Sequence, residues 1–137
     1  MSQENVEIVR HIVDGWARGD FSETGGFHPD VEFELVDWPE RAKTRGMDAM
    51  RRAWYATLSA WDDYRSPADD FIESGPHVVV PVHMNARGKT SGAVVDADTA
   101  AVFTMDAGKV VRLALYWDRI KALEAVGLSE QDARADS

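Results

Sequence analysis

Two side chains have the type and setting for proton transfer, Asp37 and His83. Asp37 follows Phe33 and Leu35 at alternate positions, so in an extended strand the three share one face. A carboxylate at the end of an apolar face is of the kind that takes a proton from a bound molecule. Its other reading is a turn carboxylate, because Trp38-Pro39 directly follows and must end the strand. His83 carries the ring that titrates near neutral pH, and Asn85 shares its face. However, Val78, Val80, Val82 and Met84 make up the more apolar face of that run, which turns His83 outward.

The remaining polar groups have simpler explanations. His11, His28 and His77 read as surface or turn residues, and no histidine pair has the i, i+4 helical spacing of a metal motif. Asp96 and Asp98 alternate as on an exposed strand face, which accounts for them without a hard cation. Asp118 stands before a helical run and suits an N-cap. The basic stretch Arg41, Lys43, Arg45, Arg51 and Arg52 reads as a solvated loop and helix face. No metal and no cofactor is expected.

Composition narrows the classes further. The chain has 137 residues, 45% of them hydrophobic, with five Trp and five Phe, enough to fill one core. The absence of cysteine excludes disulfides, thiolate-held metals and thiol nucleophiles. A formal charge of -9 repels a phosphate backbone, so no nucleic-acid partner is expected. No apolar run approaches the ~20 residues that span a bilayer, and the polar, acidic start does not resemble a secretory signal; no membrane partner and a cytoplasmic place are expected.

Elements that would position these groups follow from periodicity. Val6, Val9, Ile12, Val13, Trp16 and Ala17 predict an amphipathic first helix ending at Arg18-Gly19-Asp20. Alternation over residues 31–37 predicts a strand, and Met47, Met50, Trp54, Thr57, Leu58 and Trp61 predict a second helix lying on a sheet. Four further strands are expected over 64–73, 77–86, 94–105 and 109–117, forming an antiparallel meander, before a short helix through Val126 that Gly127 stops. Residues 1–128 form the domain, and 129–137 form a polar, frayed tail. The order gives an α+β fold in which helices cover one face of a curved sheet.

Several segments, in this order, are similar to landmarks of the SnoaL-like branch of the nuclear transport factor 2-like superfamily. They are Trp16-Ala17-Arg18-Gly19-Asp20-Phe21, His28-Pro29-Asp30-Val31-Glu32-Phe33, Thr44-Arg45-Gly46-Met47-Asp48-Ala49, Ala107-Gly108-Lys109-Val110-Val111 and Tyr116-Trp117-Asp118-Arg119 with Ala122-Leu123-Glu124-Ala125. The resemblance implies a cone-shaped antiparallel sheet packed on N-terminal helices, the cystatin-like fold, with an internal pocket. It also implies a homodimer through the convex sheet face, where Tyr116 and Arg112 are expected.

Relatives implied by this resemblance include ketosteroid isomerases, limonene epoxide hydrolases and polyketide cyclases. The isomerases' Tyr and Asp positions fall on Ile12 and Leu35, the epoxide hydrolases' Trp and Asp positions on Leu113 and Leu115, and the cyclases' His/Asp pattern on Ala101 and Leu115. An aliphatic side chain neither donates a hydrogen bond nor takes a proton, so these three sites are erased, which argues for a different substrate, different residues or plain binding; steroid isomerase and limonene epoxide hydrolase activities are not expected. The pocket should be lined by Trp16, Phe33, Leu35, Trp54, Phe103, Leu113, Leu115 and Trp117 and take a small hydrophobic molecule. Three functions stay open: a general acid/base isomerase, cyclase or hydrolase led by Asp37; a non-catalytic ligand-binding or accessory protein; and a structural dimer with a filled cone.

Overall fold

The computed structural model describes residues 2–22, 24–39 and 41–129. The frayed tail expected at 129–137 therefore lies, from 130 on, outside the described residues. The elements run α1 (Ser2–Ala17), β1 (Phe27–Leu35), β2 (Ala42–Arg45), α2 (Met47–Leu58), β3 (Trp61–Arg65), β4 (Ile72–Ser74), β5 (His77–Gly88), β6 (Val94–Asp106), β7 (Lys109–Tyr116) and α3 (Arg119–Ala125). Among the described residues no helix is long and apolar enough to cross a membrane.

The strands form one curled sheet in the order β2-β1-β7-β6-β5-β3, with β4 also paired to β5. The expected meander is present in β3, β5, β6 and β7, each pair among them antiparallel. One pair departs from an all-antiparallel sheet: β1 runs parallel to β7, with Phe33 opposite Leu113 and Leu35 opposite Leu115. The sheet is thus mixed. Alternation reports which face a side chain takes and says nothing about the direction of a partner strand 80 residues away, as for Leu35 and Leu115.

Other boundaries shift for local reasons. The first strand spans 27–35, so Val36 and Asp37 lie beyond its end. The basic run 42–45, expected as a loop, is the edge strand β2, where Lys43 and Arg45 sit opposite Glu34 and Glu32. Charged side chains on an edge strand deter further pairing, and they also hide its strand character from a hydrophobicity reading. The strand expected over 64–73 is split, with β3 and β4 flanking a connection that touches β5 through Ala68 and Val82. Trp61 opens β3 and does not belong to α2.

Turn chemistry follows the expected breaks. Ala107 (φ 50°) and Gly108 (φ 78°) are both left-handed and join β6 to β7 as a two-residue hairpin closed by Asp106 and Lys109. Gly127 (φ 79°) ends α3, and the Leu128 N–H returns to the Leu123 carbonyl at 2.9 Å.

Two apolar layers flank the sheet. On the concave face Val31, Phe33, Leu35, Val80, Phe103 and Leu113 pack against Val9, Ile12, Val13 and Trp16 of α1 and Met50 of α2. On the convex face α3 lays Ala122 and Leu123 over Val79, Ala100, Val102, Ala114 and Tyr116. Tyr116 takes the convex side, as its parity predicts. Phe103 is 0% exposed, and its ring lies 5.7 Å from that of Trp16, joining sheet to helix. Removing a fully buried ring leaves a cavity, so Phe103→Ala should destabilise the fold by about 3–5 kcal/mol, read by urea denaturation. A loss under ~1 kcal/mol would contradict this core.

Candidate functional site

The inside of the cone is built from aromatic rings supplied by separate elements. Trp16 ends α1, Trp54 stands on α2, Tyr64 on β3 and Phe33 on β1, while Phe21 and Trp38 come from connections. Phe21 lies 5.9 Å from Trp16 and 5.6 Å from Trp54 between ring centres, and Trp54 lies 5.8 Å from Tyr64, nearly perpendicular to it. Trp38 is held edge-on between Trp117 at 5.1 Å and Trp54 at 6.2 Å. Perpendicular packing sets the positive edge of one ring against the negative face of the next.

Two small voids remain among these rings. One, of about 30 Å³, is bordered by Trp16, Phe33, Met50, Trp54 and Leu113, with Thr24, Arg51 and Tyr55 at its rim. The other, of about 10 Å³, is bordered by Trp38, Tyr64, Ser66, Thr99, Ala101 and Leu115. Each has room for a water or so, against the roughly 300–1,000 Å³ of a formed ligand pocket. A wider open cleft of about 340 Å³ lies outside, between α2 and β2, with Leu35 at its floor.

Each residue expected to line a pocket can now be placed. Trp16, Phe33, Trp54 and Leu113 surround the larger void, and Leu115 faces the smaller. Leu35 forms the floor of the outer cleft, Phe103 supports Trp16 from behind, and half-buried Trp117 packs on Trp38. Ile12, Leu35, Ala101, Leu113 and Leu115 all belong to the buried concave core, so the positions aligned with the relatives' acids and donors do face inward and are aliphatic.

Of the polar groups inside, Thr57 was expected on the inward stripe of the second helix, whereas Ser66 and Thr99 were missed by the sequence reading. Among the described residues the buried polar or charged side chains are Thr57, Ser66 and Thr99. Thr57 gives its hydroxyl proton to the Ala53 carbonyl at 3.1 Å, which leaves Ser66 and Thr99 to line the smaller void beside Tyr64. Trp38 is 4% exposed, yet its Nε1–H has no acceptor. An unmet buried donor costs about 1–3 kcal/mol. A tryptophan ending a strand reads as packing, so no local signal marks it as a free donor.

Asp37 and His83 occupy different places, with β7 and β6 lying between their strands. The Asp37 carboxylate accepts the main-chain N–H of Trp117 at 2.5 Å and that of Asp118 at 3.1 Å, clamping the end of β1 to the end of β7. Asp118 in turn caps α3 by accepting the Ile120 N–H at 2.9 Å. His83 lies on the convex face, turned outward as expected. Its Nε2 contacts Asp96, and its Nδ1 meets Asp98 at 2.8 Å. Arg119 completes this cluster, pairing with Asp69 and donating to the Thr99 and Val82 carbonyls at 3.0 and 2.9 Å.

Electrostatics follow from these contacts. The hydrogen bond to Asp98 holds the His83 pKa above its ordinary 6.5, helped by the charges of Asp96, Asp98 and Asp69 and opposed by partial desolvation. The same bond, with the Arg119 charge, lowers Asp98. At His77, which meets Thr104 Oγ1 at 2.9 Å, desolvation and then the Arg112 charge lower the pKa. The His83–Asp98 pair therefore adds stability that is lost as pH rises through the raised His83 value, or falls through the lowered Asp98 value. NMR titration should place His83 above 6.5, and Asp98→Asn should bring it down. A wild-type value at or below 6.5 would contradict the cluster.

Comparison with known proteins agrees with this architecture. A protein of unknown function from Burkholderia pseudomallei, described as nuclear transport factor 2-like, superposes with a TM-score of 0.74 at 19% identity, covering 90% of this chain and 98% of that one. TerC, crystallised with polyporic acid, gives 0.71 at 22% identity and the same coverages. A polyketide cyclase candidate from Sinorhizobium meliloti gives 0.62 at 25% identity, covering 80% and 93%. Among curated protein sequences none matches. The family model of the SnoaL-like domain matches residues 9–113, most of the chain, and with the cone described above this chain belongs to the SnoaL-like domain family.

Proposed function

We propose that this SnoaL-like chain takes up a small, flat, largely apolar molecule inside its cone, between Trp16 and Trp54. The observation that carries this reading is the convergence of six aromatic rings from α1, α2, β1, β3 and two connections on voids that they leave unfilled. Burying rings against rings would stabilise such a ligand without a charged partner. Entry leads past the rim of the larger void, where the connection after α1 meets α2. There Arg51 reaches Thr24 across the gap at only 3.5 Å, and Tyr55 is 45% exposed. The voids are water-sized, so uptake requires Phe21 and Trp54 to swing aside. TerC, with the same fold, was crystallised with polyporic acid, which accords with a ligand of this kind. A place in the cytoplasm and pairing of two copies through the convex sheet face belong to the same proposal.

Proton-transfer catalysis is the second reading. In its favour, Asp37 stands next to Trp38, where the rings of Trp38 and Trp117 meet. Against it, both Asp37 oxygens are engaged by main-chain amides, and His83 lies on the other side of the sheet. Uptake is common to both readings, so it is tested first.

Titration with 2-isopropenylnaphthalene, a flat hydrocarbon, should give saturable shifts of the Trp16 and Trp54 indole N–H signals, and Trp54→Ala should weaken binding by about tenfold. Absence of saturable binding would end the uptake reading. Asp37→Asn should leave that binding unchanged while costing about 1–3 kcal/mol of stability, since two amides lose a charged acceptor. A turnover that Asp37→Asn abolishes would instead establish the catalytic reading.

A further inference from the structure

Another opening lies away from the cone, where the edge strand β3 meets β5. Three steps along β3 match two along β5, for Asp62 stands opposite Arg87 and Arg65 opposite Asn85. The extra residue makes a bulge, and within it Asp63 takes a left-handed backbone (φ 55°) that few non-glycine residues adopt. Bulges re-aim side chains and are over-represented beside active sites. Here the opening measures about 270 Å³ and is bordered by Asp62, Asp63, Arg65, Asn85, Arg87 and Val94. By alternation Asn85 and Arg87 share the convex face with His83. Asp63 holds the Arg65 guanidinium at 2.8 Å. Among the described residues neither Asp62 nor Arg87 makes an ion pair, although the two are cross-strand neighbours. A carboxylate and a guanidinium thus border one opening without being joined to each other. Asp96, the next acid on β6, is turned to His83.

We infer that this opening binds a free α-amino acid as its zwitterion, with the ligand's carboxylate on Arg87 and Asn85 and its ammonium on Asp62. Charge selects the class. A simple anion is drawn by Arg87 but opposed by Asp62 and by the field of a chain whose formal charge is -9. A simple cation is drawn by Asp62 and opposed by Arg87. A zwitterion offers each residue its opposite. Its two charged groups share one carbon, so they can bridge residues that stand opposite in register, and a guanidinium grips a carboxylate with two parallel N–H bonds. Val94 stands opposite Arg87 on β6 and is 68% exposed, which gives an apolar side chain a surface to lie on and favours a leucine-like amino acid. The bulge also breaks the edge that an extended peptide would need to continue the sheet, so a free amino acid suits the place better than a strand. Exposed charges are screened by water, so binding falls in the millimolar range. The site is separate from the cone, and neither it nor the uptake reading depends on the other.

Leucine and two single-charge relatives test this. 4-Methylpentanoate keeps the carboxylate without the ammonium, and 3-methylbutylamine keeps the ammonium without the carboxylate. In an amide-resolved NMR titration near neutral pH and at low salt, leucine should give saturable shifts of the Asp62, Asn85 and Arg87 signals. Each relative should bind about fivefold more weakly, the loss of one exposed ion pair. Arg87→Gln should weaken leucine about fivefold without weakening 3-methylbutylamine, and Asp62→Asn should do the same without weakening 4-methylpentanoate. Both positions are exposed, so the fold should survive, and unchanged signals from core residues such as Phe103 would confirm it. Leucine binding no tighter than 4-methylpentanoate would reduce the opening to an anion contact and overturn the inference. Shifts that never saturate, or that leave Asp62, Asn85 and Arg87 unmoved, would overturn it as well. The wild-type ranking of the three compounds decides even without the variants.

Discussion

The parallel seam between β1 and β7 is the contact on which the remaining geometry depends. It joins the first strand to the last, and main-chain hydrogen bonds carry it through to its end, where the Val36 N–H reaches the Leu115 carbonyl at 3.0 Å. Asp37 extends the seam with side-chain chemistry, accepting two amides where β7 gives way to α3, while Arg112 and Glu34 pair across its convex side at 2.8 Å. A parallel pair offers no hairpin to hold its register, so such polar fasteners matter more here than between β5 and β6. With the seam in place, Trp38 is carried over Trp117 and against Trp54, and the cone acquires its aromatic end.

Curling the sheet separates two kinds of chemistry that a linear reading mixes. The concave side collects rings and aliphatic chains, together with a few neutral polar groups. The convex side, apart from the apolar layer under α3, carries the charge: Glu32 with Arg45, Glu34 with Arg112, and the cluster of His83, Asp96, Asp98, Asp69 and Arg119. Charges left near water are screened and contribute modestly, whereas one enclosed among the tryptophans would lose its hydration without gaining a partner. The carboxylates and histidine most suggestive of acid/base work therefore stay outside, and the inside is left to ring faces and neutral groups.

Filling and function are balanced inside the cone. Rings packed edge to face are stable, yet they enclose voids and strand one indole donor, so the packing falls short of complete. On the uptake proposed above, a molecule that spreads the rings would exchange one set of aromatic contacts for another.

Periodicity in the chain alone determined the three helices, the alternation of most strands and which residues turn inward, because burial of a face is written locally every two or 3.6 residues. It also placed His83 outside, and it held open the turn role of Asp37 that the clamp now gives a structural form. Tertiary structure alone decided the direction of β1 against β7, the pairing of the charged edge strand β2, and the meeting of Asp37 with amides 80 residues on. It alone decided, too, that the ring-rich interior is nearly closed and that Trp38 lacks an acceptor. The physical reason is the same in each case: strand polarity, void volume and hydrogen-bond satisfaction are properties of pairs of distant segments, and no local pattern encodes a partner that the chain meets only when folded.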